Sequence, residues 1–99
     1  MSRAADRLAR ALCSAAQAAG VTATLGPLAS RPWRSALFSG ETHTAELVGA
    51  DDAATTAWLA TLPAIELPVP GHVTDVAVAA VSRQGGRLAA TLHLQTIEA

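Results

Sequence analysis

Between Ser2 and Ala19 apolar side chains recur at helical spacing. Ala5, Leu8, Leu12, Ala15, Ala16 and Ala19 share one face, while Arg3, Arg7, Arg10, Ser14 and Gln17 line the other. Ser2 can cap free N–H groups at one end, and Gly20 can take the left-handed backbone that stops a helix at the other, so the pattern predicts a helix over 2–19. Its arginine stripe reads as a solvated face, and Cys13, next to the apolar face, as a buried, inert thiol. The period then drops to two. Val21 to Leu25 alternates with Thr22 and Thr24 as a half-buried strand does, until Gly26-Pro27 ends it and a loop runs through Ser30-Arg31-Pro32.

The β-rich stretch from Trp33 to Val48 is too long for a typical strand and is interrupted at Ser39-Gly40. Two readings stay open. Gly40 is a bulge in one bent strand, or Ser39-Gly40 is the tight loop of a hairpin joining 33–38 to 41–48. Both put Glu41, His43, Ala45 and Leu47 on one face and Thr42, Thr44 and Glu46 on the other. Asp51-Asp52 supplies a cap and acid for a second helix from about Asp52 to Leu62, with Ala54, Trp58 and Leu62 facing the core and Pro63 ending it. Pro63, Pro68 and Pro70 make 63–71 an edge or connector.

Two further apolar runs, Val73–Ser82 and Arg87–Ile97, flank Arg83-Gln84-Gly85-Gly86 and predict a hairpin. Unbroken alternation gives one face Ala77, Ala79, Val81, Leu88, Ala90, Leu92 and Leu94, and the other Val76, Val78, Ala80, Ala89, Thr91, His93 and Gln95. The first is expected to meet the helices. The whole is an α+β fold, with two helices on one face of an antiparallel sheet of four or five strands, in the order αββαββ or, with one strand more, αβββαββ.

Length and composition sharpen this picture. Ninety-nine residues form one small domain spanning 1–99. The 51% hydrophobic content is largely alanine and leucine with only Trp33, Trp58 and Phe38 as aromatics, so the core is thin and self-association a natural supplement. The net charge of −1 hides an uneven spread: Arg3, Arg7, Arg10, Arg31 and Arg34 face only Asp6 before residue 41, and residues 41–82 carry six acids and no arginine. Such a chain offers no general field for nucleic acid or an anionic membrane. One cysteine, no uninterrupted apolar leader and no 18-residue apolar run point to the cytoplasm, and the lack of Lys, Asn and Tyr to a GC-rich bacterial genome.

Phosphate-loop, dinucleotide, GxSxG, HExxH and Cys-based zinc patterns are all missing, so no cofactor is expected. What remains is a polar set. Glu41 and His43, two apart on a strand, can approach one divalent ion or small ligand, with His72 and Asp75 joining if their strands are neighbours in the right register. Arg31, Trp33 and Arg34 gather residue types enriched at interfaces and at single-stranded nucleic-acid sites; Trp33 is expected against the sheet with the arginines in water. The leading expectation is a non-catalytic interaction or assembly module, a homodimer through an open sheet face that carries Val76, Val78, Thr91 and His93, and Trp33 and Arg34 of the preceding loop are further interaction candidates. The alternative is a small-ligand or divalent-metal domain using Glu41, His43 and His72, with an unknown protein partner or ligand in either case; nucleic acid ranks last.

Overall fold

The structure, a computed structural model, describes residues 2–99. Helix α1 (Arg3–Ala18) leads into β1 (Ala23–Leu25), β2 (Ala29–Arg34) and β3 (Ser39–Ala50); α2 (Ala53–Thr61) ends in the 3-10 turn Leu62–Ala64, and β4 (His72–Gln84) and β5 (Arg87–Glu98) close the chain. This is the longer of the two expected orders, αβββαββ. Every pairing is antiparallel, in the order β1-β3-β5-β4, with β2 paired to the same edge of β3 further along it. The sheet is therefore four strands wide, with β1 and β2 sharing the first column.

Both helices start as their sequences require. The Ser2 hydroxyl accepts from the Ala5 N–H (3.1 Å), and Asp52 accepts from the Thr55 N–H (2.8 Å), which holds the Asp52 carboxyl below its usual range. Leu8, Leu12 and Ala16 of α1 and Trp58, Leu59 and Leu62 from the α2 region pack with Leu47, Val76, Leu88, Ala90, Leu92 and Leu94 of the sheet. All these sheet residues lie on one face, so the helices cover that face and leave the other bare. Cys13, expected to be buried, is exposed: it falls one position past the buried Leu12, outside the arc of α1 that meets the sheet.

Neither reading of Ser39-Gly40 holds. The pairing Arg34–Ser39 closes a hairpin whose turn is 35–38, where the Ser35 N–H donates to the Phe38 carbonyl (2.7 Å) and the Ser35 hydroxyl accepts from the Phe38 N–H (3.1 Å). A serine-locked turn thus replaces the glycine turn and leaves Leu37 and Phe38 exposed at its tip. Residues 29–34, partly assigned to a loop, form β2 despite Pro32; as an edge strand it tolerates a missing N–H, and Pro32 blunts the free edge.

The β4–β5 hairpin was expected to alternate without a break, and it does not. Val81 pairs with Ala90, but Val78 pairs with Leu92 and Val76 with Leu94, because a register shift between Val78 and Ala80 inserts one extra residue. Beyond it every side chain of β4 changes face. Val76 is buried in the core and Val78 packs against it, so neither belongs to the open face; Ala77 takes their place there, beside Ala80.

Candidate functional site

The helix-covered face is apolar at one end and polar at the other. Toward the β2–β3 turn the leucines give way to Ser30, Glu41, His43 and Thr96. His43 is fully buried; its Nδ1 lies 2.7 Å from Ser30 Oγ and its Nε2 2.9 Å from Thr96 Oγ1. In the neutral ring one nitrogen donates and the other accepts, and each hydroxyl can take the complementary role, so both are satisfied in either tautomer. Glu41 accepts from the Ser2 hydroxyl at 2.5 Å, tying the start of α1 to the sheet, and Ser39 donates to Glu98.

Burial dominates at His43 and pushes its pKa below the usual 6.5; the nearby Glu41 charge works against this and His72 with it. The unfolded chain therefore takes up a proton before the folded one. The stabilisation from burying a neutral ring is complete above about pH 6.5 and is lost as pH falls from there toward the lowered folded value. Urea unfolding at about pH 7.5 and pH 5 is expected to show a larger loss of stability in the wild type than in His43→Gln. Equal losses would remove His43 from this account.

The expected metal set does not assemble. Among the described residues no group of three or more His, Cys, Asp or Glu side chains is placed to hold a metal ion. Both nitrogens of His43 are taken by hydroxyls, His72 binds the Pro70 carbonyl through Nδ1 (3.0 Å), and Asp75 pairs with Gln95 on the opposite face of the sheet. Of the four, Glu41 borders both a 770 Å³ groove between α1 and the β1–β2 connection, where Ser30 and Cys13 also stand, and a 420 Å³ hollow shared with His72 and Arg34.

The bare face is the larger surface. Read across the strands from β2 to β4, its first row is Trp33, Gly40, Ile97 and Val73; the second is Arg31, Thr42, Gln95 and Asp75; the third is Ala29, Thr44, His93 and Ala77. Glu46, Thr91 and Ala80 follow, then Val48, Ala89 and Ser82, and Ala50, Arg87 and Gln84 complete the far part. Charge is sparse, with Arg31 and Asp75 in the outer strands and Glu46 and Arg87 in the inner ones, the middle is threonine and alanine, and Val73 is 58% exposed. Trp33 lies over Gly40, half-buried as expected, with its indole Nε1 unpartnered among the described residues, while Arg31 and Arg34 stay exposed. Of the proposed interaction residues, Trp33, Thr91 and His93 are on this face, Arg34 is on the other side beside Ser39, and Val76 and Val78 face the helices.

Fold and surface together define a two-layer α+β protein whose sheet is covered on one side only. Set against family models, curated proteins and solved structures, the chain matches none. No helix among the described residues is long and apolar enough to cross a membrane.

Proposed function

We propose that the chain is a non-catalytic interaction and assembly module of the cytoplasm, paired with a second copy through the bare face of its sheet. The supporting observation is the composition of that face: a surface four strands wide, with threonine, alanine and histidine at its centre, an apolar row at one end, and few charges to desolvate. The opposite face buries mainly leucines, with a few valines and alanines and Trp58 as the one aromatic, a small core that self-association would supplement. Edge-to-edge pairing fits less well, because Pro32 blunts β2 and the irregularity between Val78 and Ala80 bends β4.

Thr44 stands exposed in the middle of the surface. Thr44→Arg puts a charge there without touching the core and is expected to weaken the dimer at least about ten-fold, read by sedimentation equilibrium. A dimer that survived it unchanged would remove this face from the interface.

A further inference from the structure

The bare face carries its own complement. Arg31 on β2 and Asp75 on β4 occupy the two ends of one row, with Thr42 and Gln95 between them. Three strand spacings, about 14 Å, separate them, and they form no ion pair within the chain. We infer that two copies stack face to face about a two-fold axis parallel to the strands, running between β3 and β5, so that Arg31 of each copy pairs with Asp75 of the partner subunit. This rests on the reading of the bare face as a self-interface and adds its register.

Symmetry narrows the choice. A two-fold along the strands exchanges β2 with β4 and β3 with β5 but keeps each row over itself, so both ends of the second row meet an opposite charge. The same operation lays Trp33 over the partner's Val73 and Gly40 over the partner's Ile97, which covers the apolar row with itself. A two-fold across the strands would keep the columns and reverse the rows, setting Arg31 over the Thr24 region and Asp75 over the Ser82 region and leaving both charges without a counterpart. Stacking with aligned strands is also how sandwich sheets pack, about 30° apart.

The area is sufficient. Four strands about 4.8 Å apart and eleven residues of about 3.3 Å give roughly 700 Å² per copy, about 1,400 Å² in total, within the range of stable specific interfaces. Of the two other charges on the face, Glu46, the nearer to the middle, falls over the partner's Thr91, one row from the partner's His93, and Arg87, in the last row at the rim, falls over the partner's Ala50.

The test is a charge exchange read by native mass spectrometry at low salt, with Arg31→Asp, Asp75→Arg and the double variant. Each single variant puts like charges together twice and is expected to weaken the dimer at least about ten-fold; the double variant restores it to within about three-fold of wild type. An equimolar mixture of the two single variants is expected to form a heterodimer, since one chain then carries two acids in this row and the other two bases. That heterodimer also shows that both variants fold. Single variants that dimerise like wild type, or a mixture that stays monomeric, would overturn this register. If the wild type is itself monomeric, the self-interface reading fails as well; if Thr44→Arg dissociates the dimer while the charge variants do not, only the register fails.

Discussion

Gly40→Ala is expected to destabilise the protein by about 3 kcal/mol, measured by urea unfolding of the purified variant. The reason is steric. A Cβ at this position would run into the Thr96 carbonyl oxygen and stand 3.1 Å from both Ile97 Cα and Trp33 Cζ2, so backbone as well as side chain would have to give way. Gly40 is held from both sides, paired with Trp33 on β2 and with Ile97 on β5. Its backbone is not in the left-handed region, so the cost is one of contact. A loss below about 1 kcal/mol would mean that β2 lies looser on β3 than these contacts require, and would weaken the placement of Trp33 as well.

Leu92→Ala should cost about as much, roughly 3 kcal/mol. Leu92 is fully buried in β5, and its neighbours in the same row are Ala45 on β3 and Val78 on β4. Small side chains on both flanks cannot lean in to fill the space, so the cavity term adds to the lost transfer energy. The effect should appear as a lower urea midpoint with an unchanged slope, since the unfolded chain exposes nearly the same surface. A cost under about 1 kcal/mol would contradict the assignment of this face to the core.

What could be read from the sequence follows the strength of the local signals. The first helix, with its serine cap and terminal glycine, and the last hairpin, with its double glycine, were expected where they stand; Gly85 and Gly86 both take positive φ. The α2 cap and the core role of Trp58 also follow from chemistry within a few residues. The β2–β3 hairpin is hidden in the sequence because its turn uses a serine side chain rather than glycine, while the nearby Gly40 serves close packing inside β3.

The face of β4 differs from the expected one for a related reason. Unbroken alternation does not run through Val76-Ala77-Val78-Ala79-Ala80-Val81, where the valines shift from a spacing of two to three. That break is the signal of the bulge, and it decides which valines lie under the helices. The candidate site was only partly legible. Glu41 and His43 share a face as their spacing requires, but whether His72 or Asp75 could join them depended on register, which the turn and the bulge set at a distance. The Ser30 and Thr96 partners of His43 come from strands 13 and 53 residues away, beyond the reach of any local pattern.

The charge pattern became meaningful only with the strand order known. Arg31 and Asp75 lie 44 positions apart in the chain, yet they end the same row of the sheet. Native mass spectrometry of the wild-type protein at tens of micromolar tests the central claim most directly. A dominant species at twice the 10.0 kDa chain mass is predicted, weakening but not disappearing as salt is raised; a species at the single chain mass throughout would contradict the claim.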